Sequence, residues 1–394
     1  MNDMRLRDRR NPGAPIIPRD GWDLPPWNRW TNQHVREMTA TAPIWRGDGP
    51  VRPLPESLQP LGDIMVDFRE GKRSVDEFLK ESSTDGFLVL HRGRIIFERY
   101  MNELAPHKQH LIHSATKSFI GTLAGIVEDK GLLDVKEPVI EYLPELAATA
   151  FRGATVQQLL DMTGGVFFDE SRNQDSHLQK LYLANGWHDH NRPDWPRTVW
   201  DLILTLNIAA RPHGASFHYC NITTTVLGCL LERASGLSLA DLMSQEIWAP
   251  MGAGEDAYIT VDHAGLAAAA GGMCATLRDL GRFAMLLLEG GSRDGRQIIP
   301  HSWIRGTRSG GVELSGSSRQ SLPNGAYHNQ WWIEDTRRGT LWARGQDGQI
   351  VFIDPDAEFV AVKLSSLPND ENYTQRRLDE RPALLAIRAT LSTT

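Results

Sequence analysis

The sequence predicts an α+β protein, in which strands from both ends of the chain form an antiparallel sheet and the middle is mostly helical. The first observation is a predicted hairpin, with short apolar strands at 87–91 and 95–100 joined by Arg92, Gly93 and Arg94. The second is a set of strand-like segments near the end of the chain, followed by a predicted helix at 381–391. These late segments lie at 330–333, 350–353 and 359–364.

The 394 residues allow one large domain with an insertion, or two domains that share a cleft. We divide the chain into an extended N-terminal arm (1–60), an α/β region with the sheet (61–154 and 286–394) and a mostly helical region (155–285). The arm is rich in proline, which excludes a long helix, and in tryptophan, which favours burial against the body.

Composition excludes several classes of function. The formal net charge of −7 and the lack of a basic stripe argue against a nucleic-acid partner. No apolar run reaches the roughly 18 residues that a membrane span needs, and no apolar core follows the charged start at 1–15. The three cysteines, Cys220, Cys229 and Cys274, lack metal or redox spacing and favour a reducing cytoplasm.

A candidate nucleophile lies where a helix is predicted to begin, at 114–131. Ser114 and Lys117 are three residues apart and therefore share one helix face. A serine hydroxyl needs a base to take its proton, and a lysine is that base only when burial or a cation keeps its amine neutral. The alternative is a helix-capping serine beside a solvated lysine.

A second motif, Tyr219-x-Asn221, precedes another apolar helix pattern. It resembles the second signature of the penicillin-recognising serine hydrolases. The tyrosine can pass a proton between the nucleophile, the lysine and the leaving group, and the asparagine can hold the lysine in place. The alternative is a core tyrosine in front of a helix.

A third segment is the glycine-containing turn that begins at Gly345 and leads into a strand. In the same superfamily, a strand with Lys-Thr-Gly or His-x-Gly closes the cleft, but neither lysine nor histidine is present at Ala343. Glycine still lets the backbone lie close to a substrate. We therefore predict that the backbone N–H groups of Gln346 and Ser114 form an oxyanion hole, with Gly345 supporting it.

Most of the chain resembles the 6-aminohexanoate-oligomer (nylon oligomer) hydrolases and their carboxylesterase relatives. The resemblance implies a beta-lactamase-like fold, with catalytic roles for Ser114, Lys117 and Tyr219 and an acyl-enzyme. It also implies a possible homodimer. The matching stretches lie at 28–30, 160–162, 186–187, 217–221, 330–332 and 362–366.

The resemblance also concerns the substrate. Trp187 falls where the family has a tryptophan that covers the substrate, on a loop here at 164–197. Nylon-active members use a tyrosine and an aspartate in this loop, and these positions are Arg172 and Leu183 here. The mismatches favour ester hydrolysis over amide-oligomer hydrolysis. The predicted substrate-binding residues are Trp187, Phe168, Arg172, Trp332 and Asp347.

The sequence thus predicts a cytoplasmic serine hydrolase that cleaves small carboxylic esters or amides without a cofactor. One alternative is a D-peptidase or beta-lactam hydrolase of the same superfamily, and another is a catalytically inactive binding protein. Histidines at 107, 110 and 113, and those flanking Asp189, could bind a metal. No cysteine accompanies them, and we predict no metal site.

Overall fold

The computed structural model describes residues 17–189 and 191–391, which contain sixteen strands and twelve α-helices. The strands are β1 (Thr41–Ile44), β2 (Met65–Phe68), β3 (Gly71–Ser74), β4 (Thr84–His91), β5 (Arg94–Tyr100), β6 (His110–Leu111), β7 (Ala257–Thr260), β8 (Met273–Ala275), β9 (Ser292–Arg293), β10 (Arg296–Gln297), β11 (Val312–Glu313), β12 (Ala326–His328), β13 (Trp331–Ile333), β14 (Leu341–Arg344), β15 (Ile350–Asp354) and β16 (Phe359–Ser365). The α-helices are α1 (Asn28–Thr31), α2 (Val75–Glu81), α3 (Thr116–Asp129), α4 (Val156–Leu160), α5 (His177–Ala184), α6 (Val199–Leu204), α7 (Asn221–Ser235), α8 (Leu239–Met243), α9 (Leu277–Leu288), α10 (His301–Ser309), α11 (Gly316–Ser321) and α12 (Tyr373–Leu391).

An antiparallel sheet of eight strands combines both ends of the chain, in the order β11-β12-β13-β14-β15-β16-β4-β5. Strand β16 lies between β15 and β4, so Val362 is opposite Val351 on one side and Leu88 on the other. The predicted early hairpin and late strands are therefore confirmed, and so is the α+β class.

Helices cover both faces of this sheet because successive side chains of a strand point to opposite faces. Leu88 and Leu90 of β4 pack into the large core that includes α3 and α9. Phe87 and Val89 point the other way and pack with residues of α2 and α12. Such two-sided burial explains the unbroken apolar runs at 87–90 in β4 and 359–362 in β16.

The closing helix begins at Tyr373, well before the predicted start at 381, and that prediction is corrected. Pro382 lies inside the helix, where a proline normally removes a hydrogen bond and marks a boundary. The buried face formed by Ala383, Leu384 and Ile387 packs against the sheet and favours the longer helix. None of the described helices is both long and apolar enough to cross a membrane.

The predicted arm is described from residue 17 onward, and its first sixteen residues lie outside the described part of the chain. Within it, Trp22 is fully buried with Val35, Met38 and Trp187. Strand β1 then pairs with β7, which belongs to the predicted helical region. The proposed division of the chain into three regions stays a prediction.

Helix α3 lies tightly against the segment that precedes β13. A Cβ atom on Gly121 would be 1.9 Å from the carbonyl oxygen of Asn329, closer than any real contact. The hydroxyl of Ser118 donates to the carbonyl oxygen of Gln330 at 3.0 Å in the same interface. The position of α3, and of the residues at its start, is thus set by close backbone packing.

We expect Gly121→Ala to lower the free energy of unfolding by about 1–3 kcal/mol, because the added methyl group forces backbone movement. Gly306→Ala is the matched control, since nothing lies within 4 Å of a Cβ at this exposed helical position. The control should gain about 0.5–1 kcal/mol. Urea unfolding measures both, and equal midpoints for the two variants would contradict the packing argument.

Candidate active site

Ser114 lies in a tight 3-10 turn, His113–Ala115, that leads directly into α3. His113 adopts a φ of 46°, which is uncommon for a residue with a side chain. Two hydrogen bonds hold the turn. The Thr116 hydroxyl donates to the carbonyl oxygen of His113 at 2.7 Å. The Ile112 backbone N–H donates to the carbonyl oxygen of Met273 at 3.0 Å. The turn is therefore fixed before any substrate arrives.

Lys117 is 1% exposed, and its amine contacts three oxygen atoms. The Nζ atom donates to Ser114 Oγ at 3.1 Å, to Asn221 Oδ1 at 2.7 Å and to the carbonyl oxygen of Ala270 at 2.6 Å. The predicted face shared by Ser114 and Lys117 and the predicted contact of Asn221 with the lysine are both present.

Burial lowers the pKa of Lys117 from its ordinary value of 10.5 to about 7, because the charged amine loses its hydration. The negative charge of Glu170 acts in the opposite direction and raises it. At neutral pH a substantial fraction of the amine is therefore unprotonated, which is the form that can accept a proton.

Glu170 is a site residue that the sequence analysis missed. Its carboxylate accepts hydrogen bonds from the Asn221 backbone N–H at 2.7 Å and from the Asn221 side-chain amide at 2.6 Å. Burial raises the pKa of Glu170, while its bonds to Asn221 and the charge of Lys117 lower it. It belongs to no motif, and its position in an irregular loop gave no signal.

Tyr219 completes the group around the serine. Its ring centroid is 4.9 Å from Lys117 Nζ, and it lines the same cavity as Ser114. The ring stacks on Trp332 at 5.5 Å, which fixes its orientation. Burial raises the pKa of the Tyr219 hydroxyl well above its usual range, so it stays protonated and can donate.

Two cavities meet at Ser114 and Gln346, which line both of them. The first, called here the apolar cavity, has a volume of about 80 Å³. The second, the arginine cavity, is more open and has a volume of about 290 Å³. Apart from the shared pair, the apolar cavity is lined by residues that include Leu178, Leu181, Tyr182 and Trp187, and the arginine cavity by residues that include Tyr219, Trp332, Arg344 and Arg377.

The turn at 345–348 lies directly against the nucleophile turn. A Cβ on Gly345 would be 2.3 Å from the carbonyl oxygen of Ile112, so only glycine allows this approach. Asp347, which follows Gln346, has a φ of 58°. Gln346 lines both cavities together with Ser114. Its side-chain oxygen accepts a hydrogen bond from Arg172 Nη2 at 3.4 Å.

The other predicted substrate-binding residues occupy different places. Trp187 lines the apolar cavity, and its indole N–H donates to Thr260 Oγ1 at 3.0 Å. Phe168 is buried and stacks on His177, and it does not line either cavity. Asp347 is also buried, and its carboxylate accepts a bond from Asn28 at 2.9 Å.

The N-terminal arm holds the loop that carries Trp187. The Trp22 indole N–H donates to the Trp187 carbonyl oxygen at 2.5 Å, and His188 Nε2 is 3.0 Å from Asp23 Oδ1. His190, part of the metal site considered above, lies outside the described residues. Within 17–189 and 191–391, no cluster of three His, Cys, Asp or Glu residues could hold a metal ion.

Comparisons with known proteins bear on the family and the fold. The family model described as beta-lactamase matches residues 72–384. The chain is 33% identical to the 6-aminohexanoate-dimer hydrolase of Paenarthrobacter ureafaciens over 367 residues, which cover 91% of this chain and 90% of the relative.

Solved structures give the same result for the fold. A Bacillus anthracis protein, provisionally described as a 6-aminohexanoate-dimer hydrolase, superposes with a TM-score of 0.86 and 30% identity, covering 96% of this chain and 97% of that one. A D-stereospecific amidohydrolase from Streptomyces sp. gives a TM-score of 0.57 at 18% identity, covering 76% and 96%, and this likeness shows the fold alone. The predicted beta-lactamase-like fold is confirmed.

We expect Lys117→Met to change how stability depends on pH. The lysine pKa is about 7 in the folded protein against 10.5 as its ordinary value, so between these values the unfolded chain binds more protons. Between pH 7 and pH 10, the free energy of unfolding of the wild type should therefore rise relative to the variant, by about 1 kcal/mol per pH unit. Urea unfolding at several pH values measures this difference, and a constant difference would contradict the burial argument.

Proposed function

Because this chain belongs to the beta-lactamase family, whose members include hydrolases, we propose that it is a serine hydrolase of small carboxylic esters and amides. One observation carries the proposal: Lys117 Nζ lies 3.1 Å from Ser114 Oγ, and its pKa is lowered to about 7. An unprotonated amine at this distance is a base for the serine hydroxyl.

In the proposed mechanism, Lys117 takes the proton of Ser114 while the serine oxygen attacks the carbonyl carbon of the substrate. Tyr219, which lies beside Lys117 and Ser114, then donates a proton to the departing oxygen or nitrogen atom and recovers one from the protonated Lys117. The raised pKa of Tyr219 keeps it protonated for this step. The acyl-enzyme on Ser114 is finally released by water.

The negative charge that develops on the carbonyl oxygen requires nearby donors. We propose the backbone N–H groups of Ser114 and Gln346 for this role, since both residues line the two cavities. The close packing of Gly345 on the carbonyl of Ile112 supports it, because this contact fixes the two turns relative to each other. The acyl group would occupy the apolar cavity beside Trp187.

The relative from Paenarthrobacter acts, by its name, on an amide dimer, and it supports amide as well as ester substrates for this chain. We favour carboxylic esters, because Arg172 and Leu183 replace the tyrosine and aspartate of the nylon-active members. A panel of short esters, 6-aminohexanoate dimer and a chromogenic beta-lactam ranks these classes. A beta-lactam hydrolase would prefer the last of them, and a D-peptidase would instead cleave peptides that end in a D-amino acid.

Compartment and assembly are further proposals. All three cysteines are buried and free, which supports a reducing cytoplasm. We also propose that the protein forms a homodimer, as the family resemblance implies, and that its substrates are small molecules. Size-exclusion chromatography with light scattering measures the assembly.

We expect Ser114→Ala to abolish hydrolysis of p-nitrophenyl acetate, with a rate at least about 10³-fold below the wild type, because the nucleophile is lost. Ser302→Ala, at an exposed position of α10, is the matched control and should keep the wild-type rate. Absorbance of released p-nitrophenol measures both. Equal rates for wild type and Ser114→Ala would overturn the enzymatic proposal in favour of a binding protein.

We expect kcat/KM to rise with pH through a limb near pH 7, as Lys117 loses its proton. The charge of Glu170 raises the lysine pKa, so Glu170→Gln should move this limb to lower pH. Glu81→Gln, which removes a surface carboxylate paired with Arg73, should leave it in place. A limb that stays fixed or moves upward in Glu170→Gln would contradict the assignment.

A further inference from the structure

The turn that carries Gln346 contains a buried carboxylate that the proposed mechanism does not use. Asp347 directly follows Gln346, is 1% exposed and lines neither of the two cavities. Its Oδ2 atom accepts a hydrogen bond from Asn28 Nδ2 at 2.9 Å, while its Oδ1 atom has no partner among the described residues. Because a buried carboxylate is costly without a donor, the bond from Asn28 strongly constrains where this side chain points.

Each of the two proposed oxyanion donors adjoins a residue with an unusual backbone conformation. His113, immediately before Ser114, has a φ of 46°, and Asp347, immediately after Gln346, has a φ of 58°. Such conformations are uncommon for residues with side chains and persist only where surrounding contacts enforce them. The two side chains also meet, since His113 Nε2 lies 3.7 Å from Asp347 Oδ2. The Asp347 carboxylate therefore contacts both the nucleophile turn and the N-terminal arm.

The same part of the arm supports the opposite wall of the cleft. The Trp22 indole donates to the Trp187 carbonyl oxygen, and Asp23 contacts His188. Asn28 follows a few residues later and is itself 1% exposed, so its amide is held in place by packing. One short segment, 22–28, thus contacts the loop beside the apolar cavity and the turn at 345–348.

We propose that Asn28 and Asp347 are positioning residues of the oxyanion hole. The Asn28 amide holds the carboxylate away from the cavities, where its charge would oppose the negative charge that develops on the substrate oxygen. It thereby also fixes the Gln346 N–H relative to Ser114. This inference rests on the proposed function, because it takes the backbone N–H groups of these two residues as the donors.

Loss of this contact should affect the transition states rather than substrate binding. Formation and breakdown of the acyl-enzyme both pass through an oxyanion, so a displaced donor lowers kcat and leaves KM almost unchanged. Asn28→Asp places two carboxylates against each other. We expect it to lower kcat for p-nitrophenyl acetate roughly 10- to 100-fold, with KM within about twofold of the wild type. An unchanged kcat, or an effect confined to KM, would overturn the proposal.

A reciprocal exchange tests the pair itself. Asn28→Asp combined with Asp347→Asn keeps one carboxylate and one amide in the same space, with donor and acceptor exchanged. The double variant should recover kcat at least about fivefold over Asn28→Asp alone, and a folded double variant without recovery would overturn the pairing. If Asn28→Asp alone does not fold, the isosteric double variant decides. A kcat within about tenfold of the wild type supports the proposal, and a lower one overturns it.

Gln33→Ala is the matched control for a general loosening of the arm. Gln33 Nε2 donates to the Asn102 carbonyl oxygen at 2.8 Å, a contact of the arm with neither of the two turns. This variant should keep the wild-type kcat. A loss as large as that in Asn28→Asp would assign the effect to the whole arm and overturn the specific role of Asn28.

An inhibitor gives a second measurement of the oxyanion hole. 1,1,1-Trifluoro-2-butanone forms an adduct with a serine nucleophile that resembles the oxyanion intermediate, so its inhibition constant should rise in Asn28→Asp by about the factor by which kcat falls. An unchanged inhibition constant would overturn the proposal. Failure of the wild type to hydrolyse p-nitrophenyl acetate would instead refute the proposed function, on which these positioning roles depend.

Discussion

Lys117 lies inside the protein, and a buried amine needs neighbours that replace the water it has lost. Ser114 belongs to the same turn and helix, but Asn221 comes from the start of α7 and Ala270 from the segment before β8. Glu170 then fixes Asn221 from a fourth segment. The burial of one amine thus requires that distant parts of the chain keep their relative positions to within a hydrogen bond.

The side chains around Ser114 come from two kinds of segment. Ser114, Lys117 and Asn221 belong to α3, its leading turn and α7, whereas Trp187 lies on a loop that the N-terminal arm supports through Trp22 and Asp23. Ser114 and Lys117 are thus held by a helix and the turn that leads into it, whereas Trp187, which lines the apolar cavity, lies in an irregular segment after α5. Loops on a fixed scaffold allow substrate preference to change without disturbing the reacting atoms.

The sequence predicted the parts of the fold and site that depend on local periodicity. The early hairpin and late strands were found because apolar runs mark buried strands, and Ser114 and Lys117 because their spacing defines one helix face. Glu170 could not be found, since an irregular loop has no period that tells which side chain turns inward. Arg377 was missed for another reason: the helix was predicted to begin after it, and Pro382 obscured the true start. Phe168 shows that aromatic character does not indicate which way a side chain points, because it packs on His177.

The order of strands has a consequence for how the protein is made. Strand β16, near the end of the chain, is the neighbour of β4, which is synthesised more than 250 residues earlier. While the ribosome completes the middle of the chain, the edge of β4 that will pair with β16 therefore remains unpaired in the β4–β5 hairpin. Only when β16 emerges can that edge pair, so it stays open to other partners until translation is almost complete.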